Sequence, residues 1–399
     1  MIIEELIPIL SFWGLGLIFL KILSSLKIKL TFAEKIIYSI SAISALLIIP
    51  WSIFGLQKWT IAFQLWPIIL ALIGLITLGA IIYKNFRQII TWLENPKQLL
   101  QSIADRFNSI DNTEKIIVLI ITTLMICYTI FNLVLAFRDF DAIWMYIPDA
   151  MWYYRINYIP QLNPLNFRLS TKEPFVSLLF AYALYITGSL NIKLLPILFI
   201  IGWFLTVYVF IHKIWHNATK ALMGVLLFLL SPFVYYIFNF WVYYQEIYVS
   251  FFYAVTLLAL FSYLRIDDGL DEIAKKRIEI FYLCMGSLAF ALTLLAKLSG
   301  WSLIFIIILI YPLSTKGKIV QTILLVGITV FLFFKVSITY YIGIGIFLIL
   351  YGLLMLVILW KSGSNETERT SKNWLALRRL SACWICKARS SAEICPKCR

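Results

Sequence analysis

The sequence predicts an all-α polytopic membrane protein of about 11 transmembrane helices, with interfacial helices in one outer loop and a small metal-binding tail. Three observations predict it. Of 399 residues, 62% are hydrophobic and only 14% charged, more apolar surface than a soluble domain can bury. Apolar runs of spanning length follow one another from the N-terminus to residue 360. Beyond them a polar segment ends in two Cys-x-x-Cys pairs.

The first run opens with "MIIEELIPIL". It carries two glutamates where a secretory signal has a basic cap, and no small-residue cleavage site follows. It is expected to stay as a mature helix, spanning 6–26. Further spans are expected at 36–57, 61–83, 115–137, 192–211, 219–238, 245–264, 279–297, 300–313, 319–336 and 337–360. The run "PFVSLLFAYALYITG" (174–188) is shorter, with Pro at one end and Gly at the other, and is expected to lie flat in the membrane interface. The linker at 83–115 reads as a pair of amphipathic helices, so 1–114 forms an N-terminal three-helix segment with a cytoplasmic linker.

Charge orients this layout. The net charge of +14 suggests nucleic acid only if topology is ignored; in a membrane protein Lys and Arg mark the cytoplasmic loops, and no nucleic-acid partner is expected. With the N-terminus outside, the inner segments are 27–35, 84–114, 212–218, 265–278, 314–318 and the tail from 361. They and the adjoining helix ends hold most of the 34 basic residues. Lys58, Arg138, Arg155, Arg168, Lys172, Lys193, Lys297 and Lys335 fall outside. The expected location is a cell membrane, multi-pass, with loop 138–190 extracytoplasmic and the C-terminal tail cytoplasmic.

That outer loop begins with "AFRDFDAIWMYIPDAMWYYRINYIP" (136–160). Asp139 and Asp141 stand one residue apart at the mouth of a helix, followed by Asp149 and Glu173. Arg138, Arg155, Arg168 and Lys172 lie in the same loop. Trp144, Tyr146, Trp152, Tyr153, Tyr154 and Tyr158 are what a membrane-boundary belt contains, and single acids at an interface are tolerated as solvated groups. Together, cations able to hold a phosphate and carboxylates able to act as general base suit a reaction on a phosphorylated lipid head group. The aromatic floor suits sugar or isoprenoid contact.

"FDAIWMYIPDA", followed by "KEPF" and an amphipathic segment ending in "TGS", resembles the first outer loop of GT-C-fold membrane glycosyltransferases. The nearest group is family 39, the protein O-mannosyltransferases and aminoarabinose transferases. Residues 231–265 resemble that family's next outward turn, where an acidic residue opens a helix. Residues 285–313 resemble its Gly-rich helix, and the likeness covers about 130–313. The resemblance implies a GT-C-like transmembrane domain over 115–360. It implies a polyprenyl-phosphate sugar donor and a protein or lipid acceptor on the outer face of the bilayer. Asp141 takes the place of the catalytic base, and Asp139 completes a pair that positions the donor phosphate or holds Mg2+ or Mn2+. Glu246 matches the second acidic position, or is a solvated helix start. Lys297 meets the lipid phosphate, or snorkels at a helix end. Arg138, Asp149, Arg155, Arg168, Lys172 and Glu173 complete the expected substrate contacts. Where members often read Tyr-His and Pro-Arg-Ala, this chain has Met145-Tyr146 and Pro148-Asp149-Ala150.

The tail carries the most specific motif. After a polar linker (361–380), "CWICKARSSAEICPKC" places Cys383, Cys386, Cys395 and Cys398 as two Cys-x-x-Cys pairs, the pattern of a zinc ribbon at 381–399. Four thiolates leave no open position, so the expected Zn2+ is structural; paired disulfides are the other reading, disfavoured in a reducing compartment. Cys127 and Cys284 read as small core residues. Asn217 and Asn365 match the glycosylation pattern but sit on the inner side. His212 and His216 lack a third ligand and read as interface contacts rather than a metal site. Two functions are therefore carried forward: a lipid-phosphate-sugar-dependent glycosyltransferase, or a non-catalytic membrane scaffold whose zinc ribbon recruits a cytoplasmic partner.

Overall fold

The computed structural model describes residues 2–297 except 27, 29, 87–89, 91–100, 102, 103, 106, 109, 135–141, 161–173, 191–194, 232–244 and 267–270. All described residues belong to the unit Met1–Tyr311. Every regular element among them is a helix. Seven of these helices are long and apolar enough to cross a membrane, so the chain is an α-helical, multi-pass, membrane-embedded protein. The expected spans 300–313, 319–336 and 337–360 and the cysteine tail lie outside the described residues.

Helices α1 (Ile2–Ser25), α2 (Phe32–Leu56) and α3 (Thr60–Lys84) pack together first. Gly14 on α1 and Gly74 on α3 let the two backbones touch: a Cβ at Gly14 would collide with the Gly74 carbonyl, and one at Gly74 with the Ser11 carbonyl. Small residues permit this closeness where lipid supplies no hydrophobic drive. Helix α2 starts with a capping box, Glu34 N–H donating to Thr31 Oγ1 at 3.3 Å and Thr31 N–H to Glu34 Oε2 at 2.9 Å. Its turn into α3 uses Lys58 at φ 58°, with the Lys58 ammonium 5.5 Å from the Tyr158 ring centre.

Helix α4 (Asn112–Val134) touches the rest chiefly through α8 (Ala218–Leu229), where Thr219 Oγ1 donates to Glu114 Oε1 at 2.8 Å. A π-helical turn, Ala142–Tyr146, then runs into α5 (Ile147–Ile156), which stops at Asn157 in the left-handed region. The Tyr185 hydroxyl fixes that stop by donating to Asn157 Oδ1 at 2.6 Å.

Helix α6 (Pro174–Thr187), expected as a segment lying flat at the interface, is enclosed by other helices. Its residues 174–183 are all buried, and it contacts α1, α2, α3, α5 and α10 (Glu272–Ala296). An unbroken apolar run without a polar face is what a helix enclosed on every side requires. Around it stand α7 (Leu195–Trp215) and α9 (Gln245–Leu264), with Phe175 packing on Phe199 of α7 and on Tyr248 and Phe252 of α9. The described part of the 219–238 span is the 12-residue α8, too short to cross alone. Cys127 and Cys284 are not core residues: both are exposed on their helices. Asn217 caps α8, its Oδ1 accepting the Lys220 N–H at 2.8 Å, and His212 stacks on Tyr208.

Contacts sort the helix ends as the charge pattern did. At one end Lys213 of α7 meets Glu34 of α2 at 2.7 Å and Ser262 of α9 at 3.0 Å, and Arg265 Nη1 donates to the Lys213 carbonyl at 2.6 Å. At the other, Ile159 N–H donates to the Gly55 carbonyl at 3.1 Å, and α9 and α10 are joined by Glu246 and Lys297. These are called the Lys213 end and the α5 end below.

Candidate functional site at the α5 end

Four of the residues singled out in the sequence are described: Asp149, Arg155, Glu246 and Lys297. Asp139, Asp141, Arg138, Arg168, Lys172, Glu173 and the cysteines Cys383, Cys386, Cys395 and Cys398 lie outside the described residues.

Asp149 is built into α5 by its position. Tyr146, Asp149, Ala150 and Tyr153 recur at helical spacing and form one buried face against α6. Three of them suit a packed face. The fourth is a carboxyl that is only 1% exposed. It lies in the first turn of α5, where the helix dipole favours negative charge, and accepts a hydrogen bond from Ser177 Oγ of α6 at 3.4 Å. Burying a carboxylate is costly unless it is partnered. Arg155, six residues on, points elsewhere: about 240° round the helix, its side chain is exposed. Asp149 and Arg155 therefore do not form a joint site.

Glu246 and Lys297 do come together. Glu246 opens α9 and Lys297 caps the antiparallel α10, so the two form an ion pair at one end of the helix hairpin. Each charge sits where its own helix dipole favours it. Both side chains are about one-quarter exposed, which leaves the pair open to an approaching polar group. The sequence had read Glu246 and Lys297 one at a time. Their 51-residue separation hid a pairing that adjacent antiparallel spans dictate.

The first turn of α6 links α5 and α9. Ser177 meets Asp149, while Phe175, about 200° round the helix, packs on Tyr248 in the first turn of α9. Sequence reasoning missed Ser177 and Tyr248 because a serine and a tyrosine in an apolar run carry no signal by themselves. Among the described residues the α5 end thus presents one partly exposed carboxylate–ammonium pair, near an aromatic cluster of Phe175, Phe199, Tyr248, Phe251 and Phe252, while Asp149 is enclosed. A partly exposed carboxylate can accept a proton. Lys297 is already neutralised by Glu246, so holding a phosphate needs cations from outside this set.

No protein-family model, curated protein or solved structure matches this chain.

Proposed function

We propose that the protein is a GT-C-type glycosyltransferase that moves a sugar from a polyprenyl-phosphate donor to a protein or lipid acceptor at the α5 end of the bundle, on the extracytoplasmic face. Asp141 is the base that takes the acceptor proton, and Asp139 assists it. Arg138, Arg168, Lys172 and Lys297 hold the donor phosphate. The observation that carries this reading is the burial of Asp149 just downstream of that acidic pair. It shows this loop anchoring a carboxyl inside the bundle, and it adjoins the end where Glu246 and Lys297 pair. Asp139 and Asp141 carry the oxygen donors that Mg2+ or Mn2+ takes. Cys383, Cys386, Cys395 and Cys398 carry the thiolates that a structural Zn2+ takes, on the cytoplasmic side.

The test is transfer by the purified protein in lipid nanodiscs from a labelled polyprenyl-phosphate sugar, with mass spectrometry of lipid that co-purifies. Transfer that disappears in Asp141→Asn supports the enzyme. A chain that transfers nothing, and whose cellular phenotype is lost on Cys383→Ser, is the scaffold instead.

A further inference from the structure

Helix α2 carries Glu34, Tyr38, Ser41 and Ser52 on one stripe. At 100° per residue their directions fall within about 60° of one another, and all four are buried. A serine inside an apolar helix ordinarily donates to the carbonyl four residues back. Ser39 and Ser44 do so, to Lys35 at 2.7 Å and Ile40 at 2.8 Å. Ser41 and Ser52 do not: among the described residues neither hydroxyl has a hydrogen-bond partner. The Tyr38 hydroxyl has no partner within 3.5 Å either. Ser262, which accepts from Lys213 Nζ at 3.0 Å and keeps its own O–H to donate, faces it from α9.

Three such hydroxyls on one face of one helix need a physical account, because about nine in ten buried polar groups are satisfied. A dry hydroxyl in this setting carries its full desolvation cost. The stripe is interleaved with Ala45 and Ile48, which are also buried, so whatever satisfies it is small. It must also both donate and accept, since a hydroxyl does both. At the Lys213 end it meets the Glu34 carboxylate as well, whose Oε2 accepts from Thr31 and whose Oε1 lies 2.7 Å from Lys213 Nζ without a hydrogen bond and keeps its lone pairs to spare. Two to four polar partners in an otherwise apolar interior is the setting in which proteins hold buried water.

We infer that the α2 stripe binds ordered internal water, at Tyr38 and Ser41 beside the Glu34–Lys213 pair and again at Ser52. At Tyr38 the water lies where α2 packs on Phe281 and Tyr282 of α10 and faces Ser262 of α9.

X-ray hydroxyl-radical labelling of the full chain in detergent micelles, read by mass spectrometry, tests this directly. Radicals form from bound water, so Tyr38 should be oxidised several-fold faster than Tyr182, which is equally buried but hydrogen-bonded to Ser11 at 2.6 Å. Equal, slow oxidation of the two tyrosines overturns the inference. Substitution gives a second reading that does not depend on labelling. Ser41→Ala and Ser52→Ala should lower the unfolding midpoint further than Ser44→Ala, because each strands a water. A raised midpoint would mean the hydroxyls are dry. A shift equal to that of Ser44→Ala would mean they bond their own helix, and either result overturns the proposal.

Discussion

Lys213 and Glu34 meet at one end of the bundle, Lys297 and Glu246 at the other, and the two pairs are set in different surroundings. Glu34 is 3% exposed, and its carboxylate accepts from Thr31 twice and is ion-paired with Lys213 at 2.7 Å. Lys213 in turn reaches Ser262 and stands 5.7 Å from the Tyr282 ring centre, so one ammonium ties α7 to α2, α9 and α10. The Glu246–Lys297 pair links the neighbouring helices α9 and α10, and about a quarter of each side chain meets its surroundings. Lys213 is as exposed as Glu246 and Lys297, so the difference between the pairs lies in the carboxylate: Glu34 is enclosed and Glu246 is partly open. A buried carboxylate depends on its cation far more than a partly solvated one does.

Breaking the enclosed pair should have the largest effect on stability. Lys213→Met leaves the Glu34 carboxylate buried without its cation, a loss of about 3–5 kcal/mol. Thermal or denaturant unfolding in detergent reads it, and a loss below about 1 kcal/mol would mean that the pair behaves like a surface one. Packing between α1 and α3 comes next: Gly74→Val forces two touching backbones apart and should cost about 1–3 kcal/mol by the same assay. Glu246→Gln inverts the pattern. Its partly exposed pair should contribute about 0–1 kcal/mol to stability, yet the substitution should remove sugar transfer while the midpoint holds. Loss of both together would place Glu246 with the architectural pair. The smallest effect belongs to Asp111, whose carboxyl is held below the ordinary carboxylate range by the Thr113 N–H it accepts at the start of α4. A carboxyl lowered by folding stabilises above its unfolded pKa, and that contribution is lost as pH falls through the folded value. Asp111→Ala should therefore be slightly less stable than the parent at pH 7. The difference should begin to shrink as pH falls below the usual carboxylate pKa of about 4, and vanish once pH is below the lowered folded value.

The helical class and the grouping of helix ends were legible because they follow from apolar run length and from Lys and Arg placement. The pairing of Lys213 with Glu34 bears the grouping out, since loops assigned to one side converge at one end. Partners were not legible. Glu246 and Lys297 were each singled out, but which acid meets which base depends on the order in which spans pack, and periodicity does not carry that. The enclosure of helix α6 was not legible for a related reason: an all-round apolar run of 14 residues looks the same at an interface and inside a bundle. Asp149 was found as one acid in an acidic loop. Its burial became visible only once Tyr146, Ala150 and Tyr153 were seen to share its face. Glu34 was passed over because a capping-box glutamate at a helix start is ordinary, and its ion pair comes from a helix nearly 180 residues away.

Asp141→Asn, assayed for transfer of a labelled sugar from polyprenyl phosphate in nanodiscs, bears most directly on the account. Transfer by the parent chain, absent in the variant at an unchanged unfolding midpoint, is the predicted result. Equal transfer by both, or none by the parent from any polyprenyl-phosphate sugar, would contradict it.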